Sequence, residues 1–422
     1  MKYTTLRAIV VLLIALPVCF SACVKDDCKQ KWTYTYYVPV YISKDEARAN
    51  VKSNAPRKVE NPGKIYIRGQ YIFLNEVDRG IHVIDNSNPS NPRNIAFITI
   101  PGNMDLAVKG NILYADLYSD LLSIDISNPR QVKLKNYIDN VFPYRYYGGA
   151  LFGTSAGNII GDWIKKDTTV TGSCERSIPD YLLYQTGGPR FFSASSGSPL
   201  SSTSPIGVGG SMARFSIVND YMYTVSTNSL DVFNISTPET PVKSSKVNLN
   251  WGIETIYPFG NNLFIGSNTG MFIYDVSNPE VPKSVGQFSH VRSCDPVIAD
   301  NEFAYVTLRS GTQCQGFTNQ LDVIRLNNLT NAALLKSYPM ANPHGLAKDG
   351  DLLFICDGKS GVKIYNAAIQ DNLKLLKHIE TFDAYDVIAY NKIALIIGKD
   401  GLYQYNYSNT SNIKYLSKIP VK

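Results

Sequence analysis

Short runs of largely apolar residues recur along this chain, and seven of them close on Asp or a stand-in, most of them ahead of a turn built from Ser, Asn and Pro. The clearest are Gly80-Ile-His-Val-Ile-Asp-Asn-Ser-Asn-Pro89, Leu121-Leu-Ser-Ile-Asp-Ile-Ser-Asn-Pro129 and Met271-Phe-Ile-Tyr-Asp-Val-Ser-Asn-Pro279. A short apolar run of five or six residues bounded by turn residues predicts a strand, and the Pro that follows, lacking an amide hydrogen, stops the ladder at a fixed point. The runs end at Asp85, Asp125, Asn234, Asp275, Arg325, Asn366 and Asn406, in steps of 40, 109, 41, 50, 41 and 40 residues.

Each run is preceded by a strand-turn-strand segment, as in Leu106-Ala-Val-Lys-Gly-Asn-Ile-Leu-Tyr114, where Gly-Asn is a favoured hairpin dipeptide. A further strand follows the turn, for example Asn94-Ile-Ala-Phe-Ile-Thr-Ile100. Four strands per unit, repeated seven times, predict an all-β fold: a β-propeller of seven blades with four antiparallel strands each. A β-solenoid has shorter coils and lacks this hairpin spacing. The 109-residue step marks an insertion at about 138–210, whose end, 187–210, is rich in Gly, Ser and Pro and predicts a mobile loop.

Composition agrees with the pattern. Of 422 residues, 44% are hydrophobic and 18% charged, which excludes disorder for most of the chain, and 28 tyrosines with 30 glycines favour strands and turns. The net charge of +6 is spread without a dense Lys/Arg block, so nucleic acid is not an expected partner.

The N-terminus reads differently. Lys2 and Arg7 precede an apolar run from Ala8 to Val18, the form of a signal peptide over residues 1–22. Phe20-Ser-Ala-Cys23 resembles a bacterial lipobox, which implies that Cys23 is lipidated and tethers the chain to a membrane through residues 23–60. Val24-Lys-Asp-Asp27 resembles the export signal of Bacteroidetes surface lipoproteins, implying an outer-membrane, surface-exposed location. Within the tether, the aromatic stretch 30–43 predicts a strand or clamp on the propeller, which itself spans 61–422.

The repeated strand, seen as Ile81-His-Val-Ile-Asp85 and Met271-Phe-Ile-Tyr-Asp275, resembles the LVIVD-repeat family over roughly residues 60 to 422. Gly209-Gly-Ser-Met-Ala-Arg-Phe215, Tyr305-Val-Thr-Leu-Arg-Ser-Gly-Thr-Gln-Cys314, Thr318-Asn-Gln-Leu-Asp-Val323 and Asn342-Pro-His-Gly-Leu346 resemble its Bacteroidetes lipoprotein branch. The resemblance implies fold and location and carries no assigned chemistry.

In a propeller, the links entering each innermost strand share one face, here called the top, with the second hairpins. The Ser-Asn-Pro turns lie on the opposite face, the bottom. Alignment of the innermost strands places Lys64, Asp105, Arg214, Glu254, Asp295, His344 and Asp386 near the top of the channel, with Thr255 competing for the place of Glu254. Two readings stand side by side. The ring pairs internally and holds the blades in register, or it binds a polar ligand or a cation such as calcium through carboxylate oxygens. Glu76, Asp78, Asp116, Asp120, Arg309, Asp357, Lys359 and Asp400 of the second hairpins add charge to that face. The insertion also emerges there as a lid or arm, and Tyr144, Tyr146, Tyr147 and Trp163 give it aromatic surfaces suited to sugar rings or a protein groove, or to packing on the blades.

Cys294 and Cys314 belong to the top of blade five and form a candidate disulfide, with Cys174 as an alternative partner; no Cys/His spacing suggests a metal site. Gly153-Thr-Ser-Ala-Gly157 matches a nucleophile elbow by letters only, since no α/β sheet surrounds it. The expected function is a non-enzymatic, surface-anchored module that binds a protein or glycan through its top face and insertion. The alternatives are a hydrolase or lyase using channel carboxylates and a structural subunit of an envelope complex.

Overall fold

The computed structural model describes residues 29–142, 146–147, 150–151, 158–173, 208–249, 252–290, 296–310 and 318–421. The lipobox with Cys23, the 187–207 stretch, Tyr144, Ser155, Asp295 and the cysteines Cys28, Cys174, Cys294 and Cys314 lie outside the described residues. The chain divides into two compact units, Met1–Val38 with Trp163–Pro189, and Pro39–Asp162 with Arg190–Lys422. The aromatic segment is a strand, Lys29–Ser43, whose sheet partner is the insertion strand Asn158–Ser173. The Thr33 and Thr169 hydroxyls lie 3.1 Å apart across that ribbon.

The second unit is a seven-bladed β-propeller of four-stranded antiparallel sheets. Its innermost strands are Pro62–Arg68, Leu106–Lys109, Phe215–Val218, Ile253–Phe259, Val297–Ala299, Leu346–Asp349 and Ala384–Tyr390. Second strands sit between blades and are buried on both faces, as in Ile112–Leu117. Outermost strands such as Lys133–Ile138 alternate exposed and half-buried, because only one face meets a neighbour.

The Asp that ends each repeat has a backbone task. The amide of Ser87 donates to Asp85 Oδ1 (3.1 Å), that of Ser127 to Asp125 (2.8 Å) and that of Ser277 to Asp275 (2.6 Å). The same bond, to a side-chain amide oxygen, is made at Asn234, Asn366 and Asn406. The turn needs an acceptor two residues upstream rather than a charge, so Asn substitutes freely for Asp. Hydrogen bonds from Ser87, Ser127 and Ser277 hold the Asp85, Asp125 and Asp275 carboxyls below the usual range.

Adjacent blades are tied through these turns. An aromatic residue of the second strand pairs with the inner strand at Phe73, Tyr114, Tyr223, Phe264, Tyr305 and Phe354. Tyr114 donates its hydroxyl to Pro238 O (2.8 Å) and Tyr223 to Pro279 O (3.1 Å), each in the next blade's turn. Blade seven has Leu395 at this place, paired with Ile388.

Blade seven closes onto blade one without sharing a blade between the termini. Ser53–Asn54 adds to the outer edge of blade one, Val59 bridges Val421, and Ser417 donates to Pro89 O. At this seam Asn86 and Gln404 exchange amide hydrogen bonds of 3.0 and 2.7 Å, in the positions that Val276 and Val232 take in the core between blades three and four. Asn86→Val alone will leave the fully buried Gln404 amide unpaired and cost about 1–3 kcal/mol. Asn86→Val with Gln404→Val will recover most of that loss in urea denaturation, and a double variant no better than the single would refute the pairing.

Candidate functional site

Each inner strand starts at the top of the channel; Asp105, Arg214 and His344 precede these strands, and Lys64, Glu254 and Asp386 lie within their first three residues. Lys64 Nζ lies 2.5 Å from Asp105 Oδ2, an ion pair between blades one and two. That oxygen also accepts the Arg214 amide (2.6 Å), while Oδ1 accepts the Leu106 amide (2.7 Å). Burial raises the Asp105 pKa and lowers that of Lys64; their mutual attraction opposes both shifts, and Arg214 adds to the lowering at Lys64.

The strand registers separate the ring into two rungs. Two residues before the partner of the second-strand aromatic stand Lys64, Asp105, Arg214, Thr255, Pro296, Gly345 and Asp386. Glu254 and His344 therefore sit one residue earlier. Glu254 occupies a bulge between Ile253 and Thr255, and a bulge re-aims the side chain it inserts. Gly345 fits its place because a Cβ there would lie 2.7 Å from Asp386 Oδ1.

Lys64, Asp105, His344 and Asp386 are buried, whereas Arg214, Glu254 and Arg309 are half-buried. Asp386 Oδ1 accepts the Val387 amide at 2.6 Å. The His344 ring tilts against Tyr385 at 5.3 Å, its Nε2 lies 3.2 Å from the Asn342 amide nitrogen, and its buried Nδ1 has no hydrogen-bond partner among the described residues. Burial and the Arg309 guanidinium push the His344 pKa down to about 3, so the imidazole is neutral at physiological pH. Burial lowers the Arg309 pKa against the attraction of Glu254.

The chain itself crosses the channel. Val208–Gly209 joins the free edge of blade one's inner strand, pairing with Ile67 and Tyr66. Ser211 Oγ then accepts the Leu346 amide of blade six (3.1 Å), and Ala213 O accepts the Ile256 amide of blade four (2.9 Å). With the Arg214 amide on Asp105 of blade two, the segment bonds to four blades across the axis. Ser211, Met212 and Ala213 are buried, and a Cβ on Gly209 would stand 2.7 Å from the Tyr66 ring, so only a small residue passes there.

Several carboxylates of the second hairpins hold backbone. Asp116 Oδ1 accepts the Met104 and Asp105 amides and the Asn103 side chain. Glu76 accepts the Glu60 and Asn61 amides and contacts His82, and Asp357 accepts the Ala341 and Asn342 amides together with Lys363. Asp120 receives Lys44 (2.7 Å) and Arg48 (2.6 Å) from the short helix Lys44–Ala49; burial raises its pKa, but Lys44, the Asn140 amide and Arg48 outweigh that and hold it low. Asn103 and Asn75, bonded at 2.6 Å between blades one and two, belong to the same network. Sequence reading passed over them because an Asn in a link reads first as a turn residue.

The insertion leaves blade two at this face. The Phe142 amide donates to Ser119 O in the second hairpin, and the Phe142 ring stacks on Phe215 at 5.3 Å. Cys356 is a buried free thiol whose pKa burial raises well above its usual value, so it is not a ready nucleophile. Among the described residues no group of three His, Cys, Asp or Glu side chains is placed to hold a metal ion.

Comparison with known proteins adds to this picture. A collagenase of Clostridium tetani, ColT, is 28% identical over 155 residues, 34% of this chain and 15% of that protein's length. The computationally designed Ika8 protein superposes with a TM-score of 0.50 at 9% identity, covering 87% of this chain and 90% of its own. A protein from Lactobacillus plantarum gives 0.50 at 11%, covering 82% and 96%. At such identities the likeness is one of fold. The LVIVD repeat matches residues 62–96, 102–139 and 256–289, so blades one, two and four of this propeller carry LVIVD repeats.

Proposed function

We propose that this protein is a non-enzymatic, lipid-anchored propeller of the cell envelope that binds a glycan or protein partner with its top face. The observation that carries this reading is the segment 208–214, which bonds to blades one, two, four and six across the channel, while Asp105 and Asp116 give oxygens to Lys64 and the chain's own amides. The half-buried Arg214, Glu254 and Arg309 keep charged groups at the rim, where a surface partner would meet them. The anchor rests on Cys23, and Val24-Lys-Asp-Asp27 supports display on the outer surface.

A glycan array and a panel of purified envelope proteins, probed with the chain from Lys29 onward, test the reading. Saturable binding is expected, reduced at least about tenfold by Glu254→Gln with Arg309→Gln, the loss of one charge-assisted contact set. No binding to either panel would contradict it, as would turnover of a sugar or lactone substrate abolished by the same pair.

A further inference from the structure

On the bottom face, where blade seven meets blade one, a cleft of about 90 Å³ opens between Ile72, Tyr71 and Pro89 of blade one and Tyr390, Ile393 and Leu395 of blade seven. Its origin lies in the repeat. The other six blades put Phe or Tyr at the second-strand place that blade seven gives to Leu395. At two of those interfaces the tyrosine ring crosses to the next blade and its hydroxyl reaches the carbonyl of the turn proline, Pro238 or Pro279. The matching carbonyl at the seam is that of Pro89, which accepts Ser417 Oγ at 2.6 Å and has a second lone pair to offer.

We propose that this cleft binds a planar aromatic ring carrying a hydroxyl, of the phenol class, in the place that the chain's own tyrosine takes between other blades. The walls are suited to it. Ile72, Ile393 and Leu395 supply apolar contact, Tyr71 and Tyr390 supply ring faces and edges, and Gln70 and Asn391 place amides at the mouth. An engineered cavity of about 150 Å³ lined by aliphatic and aromatic side chains takes up benzene. The seam cleft is smaller but open, so one ring enters with an edge left in solvent. Asn86 and Gln404 leave the space available, because their amides are satisfied by each other. The site is on the face opposite the channel ring and stands independently of the partner proposed for the top.

The test uses the purified full chain, titrated with p-cresol and, separately, with a capped Gly-Tyr-Gly peptide, and followed by NMR and by crystals soaked in p-cresol. Saturable p-cresol binding at millimolar concentration or tighter is expected, at least about threefold stronger than toluene because of the hydroxyl. Leu395→Phe, which restores the ring from within, will weaken it at least about tenfold. Binding of the peptide as well would identify a tyrosine side chain as the natural occupant, and its exclusion would identify a free phenol. The proposal is overturned by the absence of saturable p-cresol binding, by Leu395→Phe binding as wild type does, or, should that variant not fold, by soaked crystals in which the ring lies elsewhere than between Tyr71 and Tyr390.

Discussion

Asp105→Ala will destabilise the protein by about 3–5 kcal/mol, the range for removing one partner of a buried ion pair. Lys64 is 7% exposed and Asp105 2%, so water cannot take over the solvation that the carboxylate supplies to the ammonium. The substitution also strips an acceptor from the Arg214 amide, the point where the channel segment meets blade two. Lys64→Met with Asp105→Leu will recover most of the loss, since neither charge is then left without its counterpart. Urea denaturation of the three proteins checks this. A loss below about 1 kcal/mol for Asp105→Ala would mean that the pair is hydrated and does not brace blades one and two.

His344 makes stability depend on pH. Its folded pKa of about 3 is depressed from an ordinary 6.5, so the unfolded chain takes up the proton first as pH falls. The contribution is complete above pH 6.5 and is lost as pH falls through 6.5 toward 3, by about 1.4 kcal/mol per pH unit. His344→Gln removes that titration. The advantage of wild type over the variant will therefore shrink by about 2 kcal/mol between pH 7 and pH 5, measured by urea unfolding at each pH. A constant difference across the window would show that the ring is solvated and its proton uptake unpenalised.

The blades were legible in the sequence because each is a local unit: strand periodicity, Gly-Asn hairpins and the Ser-Asn-Pro turn lie within about 40 residues of one another. The interchange of Asp with Asn was visible there too, and the turn amides explain it. Polar residues near the starts of the inner strands were visible in the sequence, but their register was not. Counting along the chain cannot see the bulge at Glu254, or that Gly345 rather than His344 occupies the rung of Asp386. The channel segment was in plain view as Gly209-Gly-Ser-Met-Ala-Arg-Phe215, yet its meaning depends on Tyr66, Leu346 and Ile256, whose separation in sequence leaves no local trace. Leu395, by contrast, could have been found by stacking the seven second strands and noticing the missing ring.

The Asp and Ser-Asn-Pro repeat that identifies the blades is scaffold on the bottom face, and the account places partner binding on the top. The measurement that tests this most directly is the binding isotherm of the partner selected by the array, for wild type, for Glu254→Gln with Arg309→Gln, and for the bottom-face variant Asp125→Asn. The top pair is expected to lose at least about tenfold in affinity, while Asp125→Asn, which keeps the acceptor for the Ser127 amide, binds as wild type. Loss of affinity in Asp125→Asn with the top pair unchanged would contradict it.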